Sequence, residues 1–427
     1  MLHKSHVCAS AATTPAMTPQ DGASKNIVLL SGIRIFPCNT GGHLHTGGIA
    51  QALARMGHRV LIWSLTGRQD DYGAHSLLKS SYRLDPIAPN LVEETNLKLG
   101  LGLLQAIGRR LHYPRVWQYA LMKRGLVPGR LRAALRMADI VICDMPWVPP
   151  VPGPWSAKPW FMISHNLEHR LLEQAPPPQH RFAAWMRAVE ADAPQCYRDI
   201  FVCADDDRDF YRSHDPSGGL KLPFIGCGVD QGAYRVPPGT RERVRAELSL
   251  TEADHLLVFS ASRFAPNLDA LASLRDFCRT EAAFLERERV HILVLGSICE
   301  APYRDGALIA TGRVPEVTPY FAASDAGLNP ITRGSGANVK LFEYLAARLP
   351  VISTAFGVRG TELRPETDFL LYDPAQPRTA IERYIQQRTR QQWKAYAESV
   401  WARHYRSCDI DELVKQAVAQ RPEFQPS

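Results

Sequence analysis

Short apolar runs alternate with amphipathic segments along most of the chain, and this alternation predicts an α/β fold. In the first half, buried strands are expected at 26–31, 59–65, 139–143, 160–164, 200–203 and 222–225. A polar segment with Pro and Gly follows at 230–240, and a second series then begins at 256–261, 291–296, 308–311, 327–329, 351–354 and 369–372. Runs that are apolar throughout are typical of parallel strands with helices on both faces.

The connections between these strands also follow a βαβ pattern. A Gly-rich loop at 41–48 precedes a helix whose apolar residues Ile49, Leu53 and Met56 recur at helical spacing, and Gly57 ends it. In the second series, helices are expected near 268–278 and 316–323. Such units join parallel strands by right-handed crossovers.

Two series of strands in 427 residues predict two doubly wound, Rossmann-like domains that face each other across a cleft. We expect a disordered extension at 1–25, an N-terminal domain at 26–232 and a C-terminal domain at 241–378. Residues 379–427 form a polar helical region that should pack back across the junction.

The composition is typical of a soluble globular protein, with 45% apolar and 22% charged residues. Residues 1–25 lack the apolar core of a signal peptide, and no apolar run reaches the ~18 residues that span a bilayer. We therefore expect a cytoplasmic protein. Its nine cysteines are scattered singly, which predicts neither disulfides nor structural zinc.

The net charge of +7 is concentrated between 91 and 136, where nine basic residues face only Glu93 and Glu94. Leucines and aromatic residues are interleaved with them, a pattern typical of peptides that lie on an anionic membrane surface. We expect contact with the inner face of the cell membrane here, with a solvated helix face as the alternative. Nucleic acid is not expected, because the rest of the chain is not basic.

The segment 329–354, NPITRGSGANVKLFEYLAARLPVIST, carries the most specific chemistry. Gly334 and Gly336 allow backbone amides to approach an anion, and the helix that follows directs its positive end to the same place. Lys340 adds a full charge, and Glu343, one turn later, can accept hydrogen bonds from ribose hydroxyls. The segment predicts a nucleotide-diphosphate site, although an ordinary turn followed by a solvated helix is the alternative.

Several further segments resemble one family, the retaining glycosyltransferases of the GT-B fold in the group-one (family four) set. They are TGG at 40–42, SHNLEHR at 164–170, GCGVD at 226–230, FSASRFAPN at 259–267 and TGRVPEV at 311–317, together with the 329–354 block. The resemblance extends over 26–372.

This resemblance implies a nucleotide-sugar donor in the C-terminal domain and an acceptor in the N-terminal domain. The donor-binding residues that it implies are Gly41, Gly42, Arg263, Gly334, Ser335, Gly336, Asn338, Lys340 and Glu343. It also implies catalytic roles for Lys340, which neutralises the diphosphate, and for His165, which lies beside the acceptor and the departing sugar. By itself, a histidine at a strand end is more often structural.

Three departures from the family pattern bear on the donor. Ser335 replaces the first of two usual glutamates, a change shared by a subgroup with the pattern G-S-G-x-x-x-K-x-x-E. The usual Arg and Lys of the first C-terminal loop fall at Ser262 and Asn267, so Lys340 is expected to supply the charge instead, with Arg263 one residue away. Arg348 stands where a glycine usually ends the helix, and a left-handed conformation there costs about 1 kcal/mol.

The reaction expected is attack by an acceptor hydroxyl on the same face as the departing diphosphate, with retention at the anomeric carbon. No metal or other cofactor is expected, because Asp205 and Asp207 begin what reads as a surface helix. The acceptor would be a sugar or a lipid-linked precursor, as in envelope polysaccharide or glycolipid synthesis.

Three other functions fit parts of the pattern. A nucleotide-sugar epimerase has the same architecture but lacks an extended acceptor surface. A dinucleotide-dependent oxidoreductase is disfavoured, since no G-x-G-x-x-G fingerprint follows Ser31. A non-catalytic sugar-nucleotide-binding protein is the third, and the presence of both Lys340 and Glu343 argues against it.

Overall fold

The computed structural model of the chain describes residues 24–38, 40–65, 82–96, 115–175, 179–334 and 336–425. Residues 1–23 of the expected N-terminal extension lie outside them. Ser24 and Lys25 are part of the fold, because Ser24 Oγ donates to the Gly57 carbonyl at 2.8 Å and the Lys25 carbonyl accepts from the Arg59 amide at 2.9 Å.

The first domain is built on a seven-stranded sheet in the order β3-β4-β2-β1-β5-β6-β7, in which only β3 is antiparallel to its neighbour. The strands are β1 (Asn26–Ser31), β2 (Arg59–Ser64), β3 (Tyr82–Ala88), β4 (Leu91–Asn96), β5 (Ile140–Asp144), β6 (Trp160–Ser164) and β7 (Asp199–Val202). Its helices are α1 (Gly41–Arg55), α2 (Arg115–Lys123), α3 (Gly129–Met137), α4 (Glu168–Glu173), α5 (Ala183–Cys196) and α6 (Asp205–Ser213). The central strands are buried on both faces, as their continuous apolar runs require.

The second domain repeats this plan, with the order β10-β11-β9-β8-β12-β13-β14 and β10 antiparallel. The strands are β8 (His255–Ser260), β9 (Val290–Leu295), β10 (Tyr303–Asp305), β11 (Leu308–Gly312), β12 (Ala326–Asn329), β13 (Val351–Ser353) and β14 (Leu370–Leu371). The helices are α7 (Thr240–Glu247), α8 (Ala265–Thr280), α9 (Ala282–Arg287), α10 (Thr318–Ala323), α11 (Val339–Ala346) and α12 (Pro377–Gln387). The two-domain fold predicted from the sequence is confirmed.

Two helices end the chain, and they pack on different domains. In α13 (Arg390–Cys408), Trp393 stacks on Tyr384 in the core of the second domain, with ring centroids 5.0 Å apart. In α14 (Ile410–Ala419), Ile410 packs in the core of the first domain, beside α1. The chain returns to the first domain next to the interdomain linker, where the Val229 amide donates to the Cys408 carbonyl at 2.9 Å.

The structure corrects the expected amphipathic stretch at 91–136. Its first six residues form β4, and Glu93 is fully buried because the amides of Ile35 and Phe36 donate to its two carboxylate oxygens at 2.7 and 2.9 Å. Residues 97–114 of the stretch lie outside the described residues, and the remainder forms α2 and α3 with the turn between them. Among the helices described, none combines the length and apolarity that crossing a membrane requires.

Two other local expectations are also corrected. The Gly-rich segment 41–48 is not a loop, because α1 already begins at Gly41, with Thr40 as its N-cap. The expected strand at 222–225 makes only an isolated bridge between Phe224 and Val202.

At the end of α11, Arg348 has the left-handed conformation whose cost was given in the sequence analysis. Arg348 lies in the left-handed region, with φ of 58°, and the Leu349 amide donates back to the Tyr344 carbonyl at 2.9 Å. The Arg348 guanidinium lies 3.7 Å from the centroid of the Trp401 ring, and a contact of this kind offsets part of the backbone strain.

Candidate active site

The two domains touch where the loop after β12 meets the end of β6. Gly336 has φ of +66°, and a Cβ built on it would overlap the carbonyl oxygen of His165. A side chain cannot be accommodated there, so glycine allows the two backbones to approach closely. Because both loops follow the carboxyl ends of parallel strands, the contact lies at the edge of each sheet where doubly wound folds bind ligands.

The N-termini of two helices, one from each domain, meet beside this contact. A Cβ built on Gly41, the first residue of α1, would lie 3.0 Å from Cγ2 of Val339, the first residue of α11. Gly42 is exposed, and the space beside its Cα is open. The first amides of a helix have no partner within the helix and give its start a partial positive charge, so an anion between the two helix starts would be stabilised by both.

Lys340 brings its amino group to the same helix start. Its side chain is buried, Nζ donates to Asn267 Oδ1 at 3.0 Å, and it lies 5.0 Å from the centroid of the Phe259 ring. Burial lowers the pKa of Lys340 to about 7, although the charge of Glu343 opposes this shift. The residue that Lys340 Nζ contacts, Asn267, is the position at which the resemblance led us to expect a lysine.

Glu343 lies one turn further along α11 and is also buried. Tyr234 Oη donates to its Oε1 at 3.1 Å, which leaves Oε2 for another donor. Burial raises the pKa of Glu343, and the hydrogen bond from Tyr234 and the charge of Lys340 oppose the rise. A carboxylate in this position suits a ligand hydroxyl as its remaining partner.

A side-chain network holds the loop in place. Asn338 is the N-cap residue of α11, but its side chain accepts no hydrogen bond from the described amides of the helix, and its Nδ2 donates to Asn329 Oδ1 at 3.1 Å. Asn329 is fully buried and in turn donates to Ser353 Oγ at 3.1 Å and to the Gly357 carbonyl at 3.0 Å. Asn338 therefore helps to position the loop, and its contact with the donor stays a prediction. Ser335 lies outside the described residues.

Arg263, another predicted donor-binding residue, is engaged at the protein surface. Its side chain is 60% exposed and forms an ion pair with Glu300 at the protein surface. The charge of Arg263 is therefore partly neutralised before any donor binds.

Arg359 is a cation of the site that was not predicted from the sequence. Its Nη2 lies 3.3 Å from the point that a Cβ on Gly334 would occupy, and its guanidinium stacks over Phe356 at 4.1 Å. Burial lowers the pKa of Arg359 to about 10, still high enough to keep the charge at neutral pH. Its position between Gly357 and Gly360, just after an apolar strand, is the signal that could have identified it.

On the first domain, His165 belongs to a buried polar cluster. Asp144 Oδ1 accepts from His165 Nε2 at 2.7 Å and from Thr46 Oγ1 at 2.9 Å, while its Oδ2 accepts from Ser31 Oγ at 2.8 Å. Burial would raise the pKa of Asp144, but these hydrogen bonds outweigh it and lower the pKa. The aspartate is therefore a carboxylate that orients the His165 ring.

The second nitrogen of the His165 ring, Nδ1, lies beside another histidine, His45. Nδ1 of His45 lies 2.9 Å from Nδ1 of His165, and Cys203 Sγ lies 3.7 Å from the same His45 atom. Burial lowers the pKa of His45 to about 3, with the charge of His165 acting in the same direction, so the His45 ring is neutral. His45, Asp144 and Cys203 were not among the site residues predicted from the sequence. A polar residue at the end of an apolar strand, as in IVICD at 140–144, was the available signal.

Comparison with known proteins confirms the resemblance to group-one glycosyltransferases of the GT-B fold. Residues 255–387, within the second domain, match the family described as glycosyl transferases group 1. No curated protein matches the chain.

Solved structures match over nearly the whole chain, although their sequences are distant. The trehalose-phosphate synthase of Burkholderia vietnamiensis has a TM-score of 0.63 at 15% identity, covering 95% of this chain and 98% of its own. The sucrose-phosphate synthase of Thermosynechococcus elongatus has a TM-score of 0.59 at 15% identity, with 92% and 97% covered. HepE of Anabaena, solved with UDP and glucose, has a TM-score of 0.59 at 14% identity, with 92% and 98% covered. The chain therefore has the GT-B fold.

Proposed function

We propose that this protein transfers a sugar from a nucleotide-diphosphate-sugar donor to an acceptor hydroxyl, with retention at the anomeric carbon. The observation that carries the proposal is the position of Lys340: a buried ammonium group at the start of α11, on a domain edge that contacts the opposing domain through Gly336. The family match of the second domain, which contains Lys340, supports the same reaction.

In this proposal the site stabilises the departing diphosphate. Lys340 and the first amides of α1 and α11 surround the negative charge that develops as the bond between the anomeric carbon and the phosphate oxygen breaks. Arg359, beside Gly334, supplies a second charge. Glu343 accepts a hydrogen bond from a ribose hydroxyl through Oε2, the carboxylate oxygen that Tyr234 does not contact.

The acceptor enters from the side of the first domain, next to His165. Its hydroxyl oxygen bonds to the anomeric carbon on the face that the diphosphate leaves, and its proton passes to a diphosphate oxygen. Asp144 fixes the orientation of the His165 ring by accepting from Nε2. Holding donor and acceptor in this geometry is the remaining contribution of the site.

We further propose that transfer uses no metal cofactor, because Lys340 and Arg359 can neutralise the diphosphate. The three carboxylates of the DDD segment at the start of α6 are each either paired with an arginine or buried. Asp205 pairs with Arg208 and Asp206 pairs with Arg170, each at 3.0 Å, while Asp207 is buried and burial raises its pKa to about 7. Addition of a chelator should not lower the transfer rate.

The acceptor that we propose is a sugar or a lipid-linked precursor of envelope polysaccharide or glycolipid. The surface that supports a lipid-linked acceptor lies on and between α2 and α3. It consists of exposed cations and apolar side chains: Lys123, Arg124, Leu126, Arg132, Arg136 and Met137. The protein should cosediment with anionic phosphatidylglycerol vesicles at low salt, and an Arg132→Glu, Arg136→Glu variant should not. Equal sedimentation of both proteins would contradict membrane contact here.

The experiment that tests transfer begins with a panel of nucleotide sugars and thermal unfolding, since a ligand of the folded state raises the unfolding temperature. The donor found is then incubated with acceptors, and the anomeric configuration of the product is read by NMR. Lys340→Met should retain the fold and lose transfer, whereas the exposed Lys394→Met should behave as wild type. Arg359→Ala should weaken donor binding in calorimetry.

Each outcome separates the proposed function from its rivals. Near-normal transfer by Lys340→Met would refute the assignment of the site. Conversion of the donor sugar without any acceptor would indicate an epimerase. Tight donor binding without either reaction would indicate a non-catalytic sugar-nucleotide-binding protein.

A further inference from the structure

Three side chains from separate elements bring potential metal ligands together in the first domain. His45 comes from α1, His165 follows β6, and Cys203 follows β7. One ligand atom from each lies within 4.8 Å of the other two. The residues are far apart in sequence, so only the fold creates this group.

The separations suit a tetrahedral zinc ion. Bonds of about 2.0–2.1 Å to nitrogen and 2.3 Å to sulfur place neighbouring ligand atoms roughly 3.3–3.6 Å apart. The two Nδ1 atoms of His45 and His165 are 2.9 Å apart, and Cys203 Sγ is 3.7 Å from His45 Nδ1. Shifts of a few tenths of an ångström in side chains without covalent constraint would bring these two distances to those of a zinc site.

The surroundings of the His165 ring are those of a metal-binding histidine. Such a histidine donates its second ring N–H to a carboxylate, which fixes its orientation and raises its basicity. His165 Nε2 makes this hydrogen bond with Asp144, and Thr46 and Ser31 donate to the same carboxylate. This arrangement directs His165 Nδ1 towards His45.

We propose that His45, His165 and Cys203 bind one Zn²⁺ ion, with a water molecule in the fourth position. Two imidazoles and one thiolate form a mixed nitrogen and sulfur set that selects zinc over hard cations such as Mg²⁺ and Ca²⁺. Binding releases the thiol proton of Cys203 to the solvent, and the ion accepts lone pairs from two neutral rings. No electron transfer is involved.

The site rests on geometry that does not depend on the proposed transfer reaction, but it has a consequence for that reaction. A zinc ion would be bound by Nδ1 of His165, whose ring we place beside the acceptor. Zinc is therefore expected to inhibit transfer and not to serve as its cofactor.

The experiment measures binding directly. Metal-free protein is titrated with Zn²⁺ in competition with a chromophoric chelator, and one equivalent should bind to wild type. His45→Asn and Cys203→Ser should each lose at least about 100-fold in affinity, and Asp144→Asn about 10- to 100-fold. Cys278→Ser, which removes a buried thiol of the second domain, is the matched control and should bind as wild type.

Two further readouts separate ligation from misfolding. Co²⁺ in place of Zn²⁺ should produce a thiolate-to-metal charge-transfer band that is absent in Cys203→Ser. Zn²⁺ should raise the unfolding temperature of wild type but not of Cys203→Ser, while a donor nucleotide that binds wild type should raise both. Absence of stoichiometric zinc binding to wild type, or equal affinity in His45→Asn and Cys203→Ser, would overturn the proposal.

Discussion

The ammonium group of Lys340 donates a hydrogen bond to Asn267 Oδ1 at 3.0 Å, so two positions 73 residues apart share one location in the second domain. The resemblance described from the sequence would place a lysine on the loop that holds Asn267, whereas this chain has Lys340 on α11. The amino group thus reaches the same location from α11 and not from the loop that holds Asn267.

Transposing the two side chains should therefore restore part of the function that either single change removes. Lys340→Asn should lower the turnover number by about 100- to 1000-fold, the cost of removing one donor that stabilises a developing anion. Adding Asn267→Lys to that variant should recover at least one order of magnitude, because the ammonium group returns to the same place. Turnover numbers with saturating donor measure both effects, and a double variant no faster than Lys340→Asn would contradict a shared location.

Stability should depend on pH through Lys340. Its pKa is about 7 in the folded protein against an ordinary value of 10.5, so the unfolded chain binds one more proton between these two values. The contribution of Lys340 to the free energy of unfolding therefore rises with pH between these two pKa values, by up to about 1.4 kcal/mol per pH unit. Below the lower pKa this contribution is constant. The difference between wild type and Lys340→Met in urea unfolding isolates the effect. If the two proteins show parallel pH profiles, Lys340 is not held in the buried state described here.

Glu343 should distinguish a nucleotide from a bare pyrophosphate. Glu343→Gln keeps the size of the side chain and the contact with Tyr234 but weakens acceptance from ribose hydroxyls. Nucleoside diphosphate affinity should fall by about 1.5–3 kcal/mol, the range for hydrogen bonds to a charged group, while inorganic pyrophosphate affinity should remain unchanged. Calorimetry with both ligands measures this, and Lys340→Met, which should weaken both, is the comparison. Equal losses for the two ligands in Glu343→Gln would remove the ribose role.

Gly336→Ala should damage both stability and transfer. The added Cβ meets the His165 carbonyl, and the residue must keep a left-handed φ of +66°, which alone costs about 1–2 kcal/mol. Gly129→Ala is the matched control, because a Cβ there meets nothing within 4 Å and φ is not positive. Thermal unfolding and donor titration compare the two variants. A Gly336→Ala protein as stable and active as Gly129→Ala would show that the two loops do not touch in solution.

Much of the fold could be predicted because parallel strands covered on both faces must be apolar throughout. The run at 160–164, for example, is the strand β6. Strands β3 and β4 could not be recognised, because they carry Pro86, Glu93 and Glu94. Glu93 is tolerated inside only since the amides of Ile35 and Phe36, distant in sequence, satisfy its carboxylate.

The sequence by itself determined the chemistry of the second domain's loop, since Gly334, Gly336, Lys340 and Glu343 lie within one turn-and-helix segment whose geometry is local. Only the tertiary structure decided which groups meet this loop from outside. Arg359 reaches Gly334 from beyond the next strand, and the His45, Asp144 and His165 cluster assembles from three elements of the other domain. Contacts between residues more than 20 positions apart depend on how strands and helices pack, and no local spacing in the chain encodes them.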